Sequence, residues 1–130
     1  VVVDDFGTVI NPALVKGQVH GGIAQGAGQI LMENFVYEDG SGQALSGSFM
    51  DYAMPRADDF CSFQVQSNPV HTDSNPLGIK GAGEAGAVGA MPVVANAIVD
   101  ALAHLGIRHV EMPASPQRIW ETIRNAGSKQ

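Results

Sequence analysis

Charge is scarce in this 130-residue chain. Charged side chains make up 15% of it, where soluble domains usually carry about 25%. Basic residues are the scarcer kind: 7 Lys and Arg stand against 13 Asp and Glu, a formal net charge of −6. Lys16, Lys80, Lys129 and the four Arg are scattered, so no basic patch of the kind a phosphate backbone needs is visible, which argues against a nucleic-acid partner. No stretch approaches the ~18 apolar residues of a membrane span, and no membrane association is expected. The one cysteine, Cys61, excludes an internal disulfide and a Cys-rich metal site. It is compatible with a reducing compartment, and a cytoplasmic location is expected. His20, His71, His104 and His109 lack metal-ligand spacing such as HExxH, so no metal held by protein side chains is expected. Glycine, by contrast, is abundant: 16 residues, well above the usual share of about 7%.

The chain opens on Val1-Val2-Val3, with neither Met nor a signal peptide. These valines read as a buried strand already under way, and the whole reads as a piece of something larger. Asn11-Pro12 is a helix start, Asn as N-cap and Pro at the first helical position. The helix is expected to reach about Phe35, with Val15, Val19, Ile23, Ala27, Ile30 and Leu31 as its apolar stripe. Glu38-Asp39-Gly40-Ser41-Gly42 marks a turn, with a second hairpin strand expected over Ala44 to Met54. Another strand is expected over Phe60 to Gln66, with Cys61 as a small core residue. Ser67 to Pro76 reads as irregular. A helix apolar on most sides, and so expected to be buried, follows from about Ala85 to Leu105, with Gly106 as its cap. Arg108 to Met112 is a candidate strand. Ser115-Pro116 starts a last helix, apolar at Ile119, Trp120 and Ile123. The expected class is α+β: one domain over residues 1–127 and a tail over 128–130, with a mixed sheet, a long glycine-rich N-terminal helix, a β-hairpin, a buried small-residue helix and a short C-terminal helix.

Ten glycines fall in two windows, five from Gly17 to Gly28 and five from Gly78 to Gly89. Glycine inside a helix costs roughly 1 kcal/mol relative to Ala, and close approach of the backbone to a ligand or another element is the usual reason for it. Gln18, Gln25 and Gln29 share a face of the first helix and could hydrogen-bond a polar cofactor, satisfy buried backbone groups or face solvent. Gly81-Ala82-Gly83-Glu84-Ala85-Gly86 spells GxGxxG. A dinucleotide site would need a strand before it and an acidic residue about 20 positions on. Here turn material precedes it, and Asp100 falls inside the next helix. Glu84 lies among glycines at a helix start, where a carboxylate is stabilised. It could serve as a general base or simply complement the helix dipole. Lys80 could pair with an anion or with Glu84, or be solvated.

Three blocks then carry a resemblance. Asp5-Phe6-Gly7 with Ile10-Asn11-Pro12, Gly17-Gln18-Val19-His20-Gly21-Gly22 with Gln25-Gly26, and Gly78-Ile79-Lys80-Gly81-Ala82-Gly83-Glu84 resemble the C-terminal part of the molybdenum-cofactor-binding subunit of the molybdenum hydroxylases. That family includes xanthine dehydrogenase, aldehyde oxidoreductase and aerobic carbon monoxide dehydrogenase, and His20-Gly21-Gly22 looks nearest to the last branch. The resemblance implies that Glu84 is the general base, that Gln18 hydrogen-bonds the pterin, and that Gly81, Ala82 and Gly83 run close to the molybdenum. The implied cofactor is molybdenum-molybdopterin, with the cytosine dinucleotide form as one version; the dithiolene, not the protein, holds the metal. The implied partners are the remainder of the molybdenum subunit, iron–sulfur and FAD subunits or domains, a small-molecule substrate and a second copy of the assembly. By itself the chain is expected to be inactive and without cofactor. Two other readings follow from the residues: a stand-alone nucleotide- or phosphate-binding module using the GAGEAG loop, and a non-catalytic scaffold fragment.

Overall fold

The computed structural model describes residues 1–128; Lys129 and Gln130, the last two of the expected tail, lie outside them. Three α-helices organise the chain: α1 (Pro12–Leu31), α2 (Ala85–Leu102) and α3 (Pro116–Gly127). α1 begins where the Asn11 side chain accepts from the Leu14 amide at 3.2 Å, with Pro12 at the first position. α3 begins in the same way at Ser115, whose hydroxyl accepts from the Arg118 amide at 3.4 Å. In both, a short polar side chain satisfies an amide that the helix itself leaves orphaned. α1 stops at Leu31, short of Phe35, because the Gly28 carbonyl takes both the Met32 and the Glu33 amides at 2.9 Å and turns the chain aside. α2 runs on into a 3-10 turn over Ala103–Leu105 that Gly106 closes at φ 75.

The fold is centred on α1 packed against α2. The small residues sit where the helices meet. A Cβ on Gly22 would lie 2.8 Å from the Ala87 nitrogen and 2.9 Å from the Gly86 Cα, and one on Gly86 would run into the Val19 carbonyl oxygen. Gly26 rests in the same way on Ala90 and Ala87. Val19, Ala27 and Ile30 of α1 and Ala90 of α2 are buried, and Val19, Ile23, Ala27 and Leu31 of the expected stripe turn toward an apolar cavity beside the crossing. The segment after α2 returns to this pair: the Ala114 amide donates to the Ile30 carbonyl at 2.6 Å, and Ala114 is 2% exposed.

The expected sheet does not form among the described residues. They hold only two isolated antiparallel bridges, Gly7 with Ile79 and Tyr37 with Ala44. The turn at Glu38–Gly42 is present, closed by the Glu38 amide on the Gln43 carbonyl at 2.8 Å and the Leu45 amide on Val36 at 2.8 Å. Its second arm breaks into turns after Leu45 instead of continuing as a strand to Met54. Val1–Val3, Phe60–Gln66 and Arg108–Met112 carry no ladder. A strand exists only through hydrogen bonds to a neighbour, and among the described residues these segments form no ladder with one.

Burial departs from expectation for the same reason. Val1 and Val3 are exposed rather than buried, and so is Cys61. α2 buries only Gly86 and Ala90, because α1 covers one of its faces and the other residues of the chain cover the rest only in part; Asp100, expected inside a buried helix, is exposed. Trp120 of α3 is 56% exposed, its ring covered by the Arg124 guanidinium 4.5 Å above it. Contrary to the sequence reading, Ala85–Leu105 is long and apolar enough to cross a membrane by length and composition, at a mean hydropathy of 1.6. Asn96 and Asp100 interrupt it, and its Gly86–Ala90 face is already engaged by α1.

The helix contact sets a stability prediction. Gly86→Ala forces a methyl into backbone and should destabilise by about 1–3 kcal/mol. Gly21→Ala, where nothing lies within 4 Å of the new Cβ, should stabilise by about 0.5–1 kcal/mol through helix propensity. Urea unfolding of the two variants reads both, and equal effects would contradict the close contact.

Candidate functional site: a cleft at the start of the second helix

The loop that leads into α2 is held by three segments distant in sequence. Gly7 (φ 59) and Gly78 (φ 64) face one another in the left-handed region. A Cβ on Gly7 would meet the Gly78 carbonyl oxygen, and one on Gly78 would meet the His71 imidazole. Only glycine combines this backbone with this proximity. The Thr8 amide donates to the Gly78 carbonyl at 2.9 Å and the Lys80 amide to the Phe6 carbonyl at 3.0 Å. Asn75 clamps the same loop from its other side: its Oδ1 accepts from the Ile79 amide at 3.1 Å and its Nδ2 donates to the Ile79 carbonyl at 2.9 Å.

Asp5 joins all three segments. Its Oδ1 accepts from the Gly7 amide at 2.9 Å and the Val70 amide at 3.0 Å, while its Oδ2 takes the Lys80 ammonium. The Lys80 ammonium, then the Val70 and Gly7 amides, hold the Asp5 carboxyl at about 2, below its ordinary 3.8. Lys80, for which the sequence left an anion, Glu84 and solvent open, is thus paired with Asp5.

Beyond this clamp lies the expected site. Glu84 is the N-cap residue of α2, exposed, and its side chain makes no capping hydrogen bond. No amide of the helix end occupies its oxygens. It borders an open cleft of about 480 Å³ together with Asp4, Asp5, Gly81 and Gly83. Gly81 and Gly83 are exposed with nothing within 4 Å of where a Cβ would stand, and Ala82 is half-buried between them. Gln18 is exposed on α1. It precedes Val19, whose carbonyl oxygen abuts Gly86, so Gln18 and the Gly81–Glu84 loop lie at the same end of the helix pair. Gln25 and Gln29 are exposed farther along α1.

The glycine windows divide in two. Gly22, Gly26 and Gly86 serve the helix crossing, Gly28 lies against Pro55 and Glu33, Gly78 against His71, and Gly89 against Val2. Gly17, Gly21, Gly81 and Gly83 face open space. The sequence reading missed Asp5 and Asn75 as the parts that fix the loop. Asn75-Pro76 with a glycine two residues on was the available signal for the second; Asp5 had none beyond its place two residues before Gly7. It also missed an apolar cavity of about 710 Å³ between α1, α2 and the Phe60–Gln66 segment. At that segment Phe63 meets the edge of His20, ring centroids 5.3 Å apart.

Residues 1–61 match the family described as "Molybdopterin cofactor-binding domain". The carbon monoxide dehydrogenase large chain of Hydrogenophaga pseudoflava is 34% identical over 121 residues, 93% of this chain and 15% of that protein. The nicotine 6-hydroxylase large subunit of Paenarthrobacter nicotinovorans is 38% identical over 117 residues, 90% of this chain and 14% of the relative. Among solved structures, a Cu,Mo-CO dehydrogenase superposes with a TM-score of 0.88 at 35% identity, over 95% of this chain and 16% of that one. Quinoline 2-oxidoreductase from Pseudomonas putida 86 does so at 0.84 and 40%, over 92% and 15%. The chain belongs to the molybdenum hydroxylase family, as a part of its molybdenum-binding large subunit, and spans about 15% of the length of such relatives.

The clamp gives a titration prediction. Asp5 has a folded-state value below its unfolded one, so its stabilising contribution is complete above the ordinary value and is lost as pH falls toward about 2. Carbon-13 NMR of the Asp5 carboxyl should show a midpoint near 2. Lys80→Met should move that midpoint up toward 3.8. A parent midpoint already at 3.8 would mean that the clamp is absent in solution.

Proposed function

We propose that the chain supplies the general base and one wall of the cofactor pocket in a molybdenum-dependent hydroxylase, and that Glu84 is that base. The observation that carries this reading is the uncapped, exposed carboxylate of Glu84 at the mouth of a cleft whose neighbours, Gly81 and Gly83, have open space where side chains would stand. That open space leaves room for a bulky group to lie against the backbone. The donor set suits a metal that arrives with its own organic ligand: among the described residues no three His, Cys, Asp or Glu side chains are grouped so as to hold a metal ion. Molybdopterin fits these residues, in its simple or its cytosine dinucleotide form. Gln18 would hydrogen-bond the pterin, and Gly81, Ala82 and Gly83 would lie beside the metal. When bound, the group supplies the redox step of the hydroxylation. Glu84 then accepts the proton that oxygen transfer to an electrophilic carbon of a small substrate releases, and the glycines on either side let the reacting atoms come within hydrogen-bond reach of its carboxylate.

The nucleotide-module reading is weaker on the same geometry. Gly86, last of the GxGxxG pattern, is buried against Val19, and Asn75–Gly78, which leads into the motif, is a turn and not a strand. Glu84 in the middle of the motif would repel a phosphate. The scaffold reading rests on exposed apolar side chains such as Leu14, Phe49, Met50 and Met112. We assign these to contacts with the rest of the molybdenum subunit, with iron–sulfur and FAD parts completing the enzyme and a second copy of the assembly as a further contact. Monomeric proteins rarely leave so much apolar surface uncovered. The chain alone would then be inactive and without cofactor.

Two substitutions in the intact enzyme test this function. Glu84→Gln should lower turnover by about 10²-fold or more while molybdenum and pterin contents stay at parent levels. Gln18→Leu should lower pterin content instead. Near-normal turnover of a fully loaded Glu84→Gln enzyme would remove the base assignment.

A further inference from the structure

Lys80 is the cation nearest in sequence to Glu84, and the chain spends a buried-edge carboxylate to occupy it. We propose that Asp5 is a positioning residue: by capturing the Lys80 ammonium it keeps that cation off Glu84 and leaves the Glu84 carboxylate unpaired at the cleft. This inference rests on the role proposed for Glu84 and adds to it a control over that residue's charge environment.

The geometry supports the assignment at each step. Asp5 and Glu84 border the same cleft, so the Lys80 ammonium at Asp5 Oδ2 lies beside that cleft. The pair is two-thirds screened from solvent on both sides, each side chain keeping 33% of its exposure. The other oxygen of Asp5 is fixed by the Gly7 and Val70 amides, so the carboxylate cannot follow the lysine if the lysine swings away. Without Asp5, an ammonium on a flexible four-carbon stem, four residues before Glu84, would have Glu84 and Asp4 as its remaining partners at the cleft. An ion-paired carboxylate is a poorer proton acceptor.

The other charges around the site do not substitute for this arrangement. Asp4 borders the cleft and is acidic. From the third loop, His71 lies against Gly78 and has Asp73 3.9 Å from its Nε2. On the half of α1 packed against Gly86, the titratable groups are Lys16 and His20, and neither lines this cleft. Lys80 and Asp5 are therefore the pair that sets the balance, and they act in opposite senses. Removing the Asp5 charge frees a cation beside Glu84; removing the Lys80 charge leaves an additional anion there.

The test is a double-mutant cycle in the intact enzyme. Asp5→Asn keeps an Oδ1 acceptor for the Gly7 and Val70 amides and removes only the charge. It should lower kcat about tenfold with little change in KM, and move the acid limb of the pH profile of kcat/KM down by about half a unit to one unit. Lys80→Met should move that limb up by a similar amount, and Asp5→Asn with Lys80→Met should return it close to the parent position. A second readout does not need turnover: infrared titration of the cofactor-free enzyme, with Glu84→Gln as the spectral blank, should show the Glu84 carboxylate midpoint falling, rising and returning across the same three variants. Midpoints that move in one direction in both single variants, or a double variant no better than Asp5→Asn, would overturn the proposal in favour of a purely structural clamp. If Glu84→Gln proves fully active, the base assignment fails, and the infrared series alone then confirms or overturns the capture of Lys80.

Discussion

The structure depends on backbone meeting backbone where α1 crosses α2. Gly22 and Gly86 approach so closely that a single methyl on either would strike main-chain atoms. That contact joins residues far apart in the chain and brings the Gln18 end of one helix to the Glu84 end of the other. The buried surface is modest, and few apolar side chains are fully enclosed. The helix pair is held by contact distance more than by the bulk of its core, since dispersion gains accumulate only where many atoms approach to van der Waals separation.

The second constraint is the carboxylate of Asp5. One side chain accepts from amides of two segments and pairs with a lysine of a third, over sequence separations of 65 and 75 residues for Val70 and Lys80. A loop rich in glycine has the most conformational freedom to lose and therefore the greatest need of external fixing. The Gly78–Gly83 loop is fixed at its start by Asp5, Asn75 and the Gly7–Gly78 contact, and at its end by the first turn of α2. Only its middle, where Gly81 and Gly83 face open space, is left for a ligand. The chain thus separates two uses of glycine that look alike in sequence: some residues let helices touch, and others leave room.

What was legible in the sequence was local. Asn11-Pro12 and Ser115-Pro116 announced helices because capping involves atoms three residues apart, and the turn at Glu38–Gly42 was readable for the same reason. The strands were not, since extended segments acquire identity only from hydrogen bonds to a neighbour, and Val1–Val3 and Phe60–Gln66 form no ladder here. The burial of α2 was overestimated because an apolar composition states a need for cover without stating whether cover is present. Glu84 and Gln18 were singled out through pattern and resemblance. Asp5 stood in the first block of that resemblance, but its clamping role was not legible, because its partners Val70 and Lys80 are distant in the chain.

The exposed apolar surface and the missing ladders then have one physical reading. A segment such as Phe60–Gln66 offers unpaired backbone donors and acceptors beside an apolar cavity, and both are satisfied at once if a further strand is laid there. α2 requires cover on the faces that α1 leaves open, and the outward side chains of α3 require it too. A chain that spans about 15% of its relatives' length and carries 15% charged residues is consistent with surfaces shaped for burial within one larger subunit. The same argument explains why the clamp around Glu84 is polar and self-contained. Hydrogen bonds and an ion pair within the chain can fix the loop's geometry locally, whereas the apolar faces depend on what packs against them.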